Sequence, residues 1–174
     1  MDQSCKKRLL ILGGTTEAIA LAQQVHQESD RWQVISSLAG RTQQPVLPTG
    51  QVRQGGFGGI DGLMTYLQTA QIDGVIDATH PFAEQISWNA ATATATLGIP
   101  HVMLVRSAWQ PEAGDRWLEV PTNAAAAEIL PALAQRIFLT IGRQELSAFA
   151  HLQSLWFLMR MIDPPQPPIP PGEV

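Results

Sequence analysis

Short apolar runs alternate along the chain with segments whose apolar positions recur every three to four residues. That alternation is the mark of strand–helix units built around a parallel sheet. Leu9 to Leu12 reads as a first strand, closed by Gly13 and Gly14. Thr16 to Gln27 follows with Ala18, Leu21, Ala22 and Val25 on one face, which predicts a helix with one buried side. Gln33 to Ser37 is a second strand and Gln51 to Gln54 a weaker third. Ile60 or Asp61 then opens a helix that carries Leu63, Leu67 and Ala70 on one side, and Gly74 to Asp77 is a fourth strand. The next helix is placed from Pro81, a residue favoured in a first helical turn, where its missing N–H leaves nothing unpaired. Its apolar stripe would be Phe82, Ile86, Ala90, Ala93 and Leu97, with Gly98 as the stop. The alternation from Thr92 to Thr96 is compatible with a strand, but the stripe spans the whole segment and favours a helix. His101 to Val105 is a fifth strand.

Arg106 to Arg116 has no periodicity and contains Pro111 and Gly114, so a boundary is placed there. Residues 1–110 form one expected domain and 117–174 another. In the second, Asn123 to Leu133 reads as a helix that Pro131 should kink or stop. Ile137 to Ile141 is a strand and Gln144 to Ala150 a short helix. Trp156 to Met161 is apolar enough for a strand buried on both faces. Six prolines in the eight residues from Pro164 to Pro171 predict extended polyproline or disordered chain rather than sheet. Two strands and a helix cannot bury the faces they expose, so this half reads as an incomplete α/β domain.

Composition narrows the class of protein. The chain has 174 residues, 45% of them apolar and only 15% charged, which excludes wholesale disorder. A net charge of −4, with Lys6, Lys7 and Arg8 as the one basic run, gives no electrostatic footprint for nucleic acid. No apolar stretch is long enough for a membrane span or a signal-peptide core. A single cysteine, Cys5, leaves neither an intrachain disulfide nor a cysteine-based metal site, and no metal is expected. A reducing cytoplasm fits this composition.

Five polar or glycine-rich clusters fall at predicted strand ends, where α/β proteins bind ligands. Gly13, Gly14 and Thr15 precede the first helix, so backbone N–H groups and the helix dipole can meet a phosphate there. Read plainly, they are a tight turn with a threonine cap. Ser37 and Arg41 follow the second strand, which carries no acidic residue. In a dinucleotide fold an arginine at this place takes the 2′-phosphate of NADPH, although a polar loop with a solvated arginine reads equally well in isolation. Gly55, Gly56, Phe57, Gly58 and Gly59 make a loop of little bulk on which a flat ligand can lie. Asp77, Thr79 and His80 end the fourth strand, and a histidine there can donate a proton or bind a carboxylate; caps and a structural histidine are the plainer reading. In the second half Gly142, Arg143 and Gln144 offer an anion site, or merely a surface pair of Arg143 with Glu145. There is no P-loop, nucleophile elbow or zinc-type spacing.

These clusters, in this order, resemble the precorrin-6A reductase family of cobalamin biosynthesis, its cobalt-precorrin-6A form included. The resemblance is carried by ILGGTTEAIALA from Ile11, SLAGRT from Ser37, GQVRQGGFGG from Gly50, IDGVIDATHPFA from Ile72, and the later FLTIGRQEL and WFLMRMIDPP. It implies a Rossmann-like parallel-sheet domain followed by a second α/β domain, with NADPH as cofactor and a tetrapyrrole as the small-molecule substrate. Gly13, Gly14 and Thr15 would carry the pyrophosphate, and Ser37 and Arg41 the 2′-phosphate. Gly56, Phe57 and Thr79 would border the nicotinamide. His80 would meet the substrate, and either His80 or a water would deliver the proton; Arg53, Arg143 and Arg160, with Gln144, would meet substrate carboxylates. Members of the family continue beyond the Asp-Pro-Pro segment with further strand–helix units. A homo-oligomer or a complementing chain is therefore an expected partner, and an inactive nucleotide- or tetrapyrrole-binding module is the alternative to an enzyme. An unrelated Rossmann-type reductase is a third reading; no Tyr-x-x-x-Lys pair points to the short-chain class.

Overall fold

The computed structural model describes residues 6–28, 30–40, 45–107 and 109–174. It divides into two compact units, Met1–Ala108 and Trp109–Val174.

In the first unit five parallel strands stand in the order β3-β2-β1-β4-β5, with β1 Lys7–Leu12, β2 Trp32–Leu38, β3 Gln51–Gln54, β4 Gly74–Asp77 and β5 His101–Met103. Alternate residues of the central strands face opposite layers, as the strand period of two requires. Leu10, Leu12, Ile35 and Val75 pack against helices α2 (Gly59–Thr69) and α3 (Glu84–Leu97) through Leu63, Leu67, Ala90 and Ala93. Leu9, Ile11 and Val34 pack instead against Ala18 and Ala22 of α1 (Thr16–Gln27). The order follows from right-handed crossovers: α1 links two strands leftward, while α2 and α3 link strands rightward and so occupy the other face.

Two expectations fail here for local reasons. Helix α3 starts at Glu84 rather than Pro81, because residues 80–83 form a turn closed by the Ala83 N–H on the His80 carbonyl. Phe82 therefore leaves the buried stripe and is 87% exposed. Strand β5 stops at Met103, two residues early, and Val102 and Met103 lie open at the edge of the sheet.

The second unit has its own core of Leu139, Leu146, Phe149, Leu152, Leu155, Phe157 and Met159, over which Ala127 of α4 (Asn123–Leu133) closes. Pro131 does not stop α4. It forfeits one bond in the last turn, and the Ala134 N–H still reaches the Leu130 carbonyl. Its strands are β6 Arg136–Leu139, β7 Trp156–Met159 and β8 Gly172–Glu173, parallel and in that order. The expected short helix is present as a 3₁₀ segment, Arg143–Phe149. Strand β7 buries one face only, with Leu158 40% exposed. The proline run does lead back to the sheet: the Phe157 N–H donates to the Pro171 carbonyl, and β8 pairs with β7 directly after it. Proline carbonyls accept as well as any other, so a run that cannot donate still serves an edge.

Candidate functional site

The carboxyl ends of β1, β2, β3 and β4 meet at one edge of the first unit, and β1 and β4 are adjacent strands whose crossovers leave in opposite directions. Such a switch point opens a crevice at the carboxyl edge of a parallel sheet. Backbone bonds lock the loops together there. The Gly13 N–H donates to the Ser37 carbonyl at 2.9 Å, the Gly55 N–H to Leu38 at 2.9 Å, and the Ala78 N–H to Leu12 at 2.9 Å.

Thr15 caps α1 and fastens it to β4. Its Oγ1 accepts the Ala18 N–H at 3.1 Å and donates to the Ala78 carbonyl at 2.8 Å, all of it buried. The threonine hydroxyl is thus fully used by the fold. Gly14 has φ of +114°, a conformation glycine adopts without strain, and nothing lies within 4 Å of where its Cβ would be. A cradle of backbone with open space above it stands before α1. Glu17 in the first turn is paired with Arg106, and that guanidinium, followed by the carboxylate's own backbone N–H, holds its carboxyl below the usual 4.5, partly offset by burial.

Sequence reading underrated Arg53. It lies on β3 directly opposite Ser37 of β2. Its Nη1 donates to Ser37 Oγ at 2.7 Å and to the Gly55 carbonyl at 3.0 Å, and its Nη2 donates to the Gly56 carbonyl at 3.1 Å. The guanidinium carbon lies 3.8 Å from the Phe57 ring centroid and 5.1 Å from that of Tyr66, and the two rings meet edge to face at 5.3 Å. Partial burial lowers the Arg53 pKa and Tyr66 opposes that shift; an arginine remains a cation at neutral pH. The strand pairing of residues 37 and 53 is the signal that could have been used, since both lie at strand ends in a parallel fold. Arg41 lies outside the described residues.

At the end of β4, Asp77 is 2% exposed. Its Oδ1 accepts the Thr79 N–H at 3.0 Å and the Thr79 hydroxyl at 2.7 Å, while Oδ2 has no partner among the described residues. Ser87 of α3 stands 3.4 Å from the Thr79 hydroxyl. His80 is exposed, and its Nδ1 accepts the Phe82 N–H at 3.2 Å. A neutral imidazole so held carries its proton on Nε2. Gly13, Gly14, Thr15, Gly56, Phe57, Thr79 and His80 thus belong to the loops of one sheet edge, and Ser37 to the end of β2 at that edge. Arg143 and Gln144 lie in the second unit, where Arg143 is 3.8 Å from Asp163. An apolar groove lined by Leu9, Leu21, Val25, Ile76 and Val102 also runs past Lys7, Trp32 and Gly74, residues at the amino ends of their strands. It lies away from this edge.

A parallel sheet in this order, with glycine-bearing loops around the switch point, defines a doubly wound α/β protein of the dinucleotide-binding architecture. The family model described as "Precorrin-6x reductase CbiJ/CobK" matches residues 8–172, and the chain belongs to that family. Among curated relatives it is 54% identical over 164 residues to the precorrin-6A reductase of Rhodococcus erythropolis, covering 94% of this chain and 66% of that one. It is 45% identical to the precorrin-6A reductase of Rhodobacter capsulatus, covering 94% and 64%. A solved structure titled CobK precorrin-6A reductase superposes with a TM-score of 0.87 at 44% identity, over 97% of this chain and 67% of that one. The chain thus spans about two thirds of the length of the relatives it matches. Among the described residues no helix is long and apolar enough to cross a membrane, and no cluster of His, Cys, Asp or Glu could hold a metal.

Proposed function

We propose that the chain takes part in the NADPH-dependent reduction of one double bond of precorrin-6A, or of its cobalt form, giving the dihydro product of cobalamin biosynthesis in the cytoplasm. The relatives' names supply the reaction; the carboxyl edge of the five-stranded unit is the observation that carries the site. The edge fits a dinucleotide: Gly14 leaves the ground before α1 free of side-chain bulk, and the N–H of Thr16, the first residue of the helix, has no intrahelical partner.

When bound, NADPH supplies the hydride. The chain's part is orientation and exclusion of water. Gly13, Gly14 and the backbone of Thr15 hold the pyrophosphate, and Ser37 with Arg41 the 2′-phosphate. Gly56, Phe57 and Thr79 border the nicotinamide. His80 holds a proton at Nε2 for the carbon next to the one reduced, and Arg143 and Gln144 bind substrate carboxylates.

The test is turnover by the purified 174-residue chain with NADPH and precorrin-6A, following loss of nicotinamide absorbance together with appearance of the dihydro macrocycle. Matched consumption and formation support the enzyme. Binding of NADPH or macrocycle without turnover marks a cofactor- or tetrapyrrole-binding module instead. Replacing His80 by Ala should slow turnover by about 100-fold or more while leaving NADPH affinity alone.

A further inference from the structure

We propose that Arg53, together with Ser37, reads the 2′-phosphate and so sets the preference of this site for NADPH over NADH. The inference rests on the dinucleotide reading of the edge and deepens it.

Three features carry it. Arg53 and Ser37 are opposed residues of neighbouring parallel strands, one step short of the carboxyl ends of both, where a dinucleotide fold places the adenine ribose. No acidic side chain stands at the end of β2, whose last residues are Ser36, Ser37 and Leu38, so nothing there favours a bare 2′-hydroxyl over a phosphate. The guanidinium is also pre-oriented. Stacking on Phe57 fixes its plane, and three hydrogen bonds to Ser37, Gly55 and Gly56 fix its rotation. Those bonds use three of its five N–H donors, leaving two for a phosphate. Ser37 Oγ accepts from Arg53, and its own O–H has no acceptor among the described residues. A rigid cation beside that hydroxyl is a site for a dianion and loses little entropy on binding.

A loop clamp is the competing role, since the same bonds tie down Gly55 and Gly56. The experiment separates the two. NADPH and NADH are titrated calorimetrically into the full chain and into Arg53→Ala, Arg53→Lys and Ser37→Ala, with circular dichroism checking that each variant folds. The expected result is that Arg53→Ala loses about 10- to 100-fold in NADPH affinity with NADH nearly unchanged. Ser37→Ala, which keeps the Phe57 stack, should lose several-fold in the same selective way, and Arg53→Lys should fall between. Equal weakening of both nucleotides by Arg53→Ala would make Arg53 a loop clamp and overturn the proposal. So would an unchanged preference, with the site itself intact; should Arg53→Ala fail to fold, Arg53→Lys and Ser37→Ala decide on the same criterion. If the unmodified chain binds neither nucleotide, the dinucleotide reading falls, and the role of Arg53 with it.

Discussion

At residue scale the edge depends on a few atoms with no room to move. Gly62 sits inside α2, where alanine would ordinarily be favoured by about 1 kcal/mol. Here a Cβ would lie 1.8 Å from the Phe57 carbonyl oxygen, a backbone atom that cannot swing away. The clash wins: Gly62→Ala should destabilise the chain by about 1–3 kcal/mol in urea denaturation and displace Phe57 from Arg53, readable as a changed Tyr66 environment. Glu17 makes a second test. Its folded pKa lies below 4.5 because Arg106 hydrogen-bonds the ionised form. The pair's contribution is therefore present above 4.5 and is lost as pH falls through the lower folded value. An NMR titration of the Glu17 carboxyl should show that lowered midpoint, and Arg106→Ala should move it back up; an unmoved midpoint would contradict the pairing. The candidate residues at the ends of β1, β2 and β4 were legible because glycines, serines, threonines and a histidine at strand ends need no tertiary information. Arg53 was not, because its meaning comes from lying beside Ser37, a pairing across a crossover that no local pattern encodes.

At the scale of elements, the first unit was read closely because each helix has an apolar stripe and β1 to β4 each meet a glycine or polar stop; β5 runs on into Leu104 and Val105, has no such stop and was read two residues too long. Helix α1 shows what such a junction contributes. Thr15 ties the start of α1 to Ala78, the residue after β4, through one hydroxyl, so Thr15→Ala removes a cap and leaves the buried Ala78 carbonyl without that donor. A loss of about 1–3 kcal/mol in thermal or chemical unfolding is expected, and a loss below about 0.3 kcal/mol would show that the cap does little there. Two elements were misread, one for a local reason and one for a long-range reason. The start of α3 is fixed by the local turn at His80 to Ala83 rather than by Pro81, and β8 exists only because β7 offers it an edge. Periodicity sees neither, since a two-residue strand after a proline run has no pattern of its own.

At the scale of the molecule, each unit carries its own buried cluster: two around the five-stranded sheet and one around the three-stranded sheet, with no residue shared. The dinucleotide site proposed above lies in the first. The family resemblance was legible in the order of the glycine loops and the DATHPFA and GRQEL segments, because a string of local motifs is read without tertiary information. The most direct test of the account is hydrogen–deuterium exchange of the full chain with and without saturating NADPH. Slowed exchange should concentrate in peptides covering Gly13 to Glu17 and Gly55 to Gly59, with Asp77 to His80 following. No protection, or protection confined to the second unit, would contradict the claim that the carboxyl edge of the five-stranded sheet is the cofactor site.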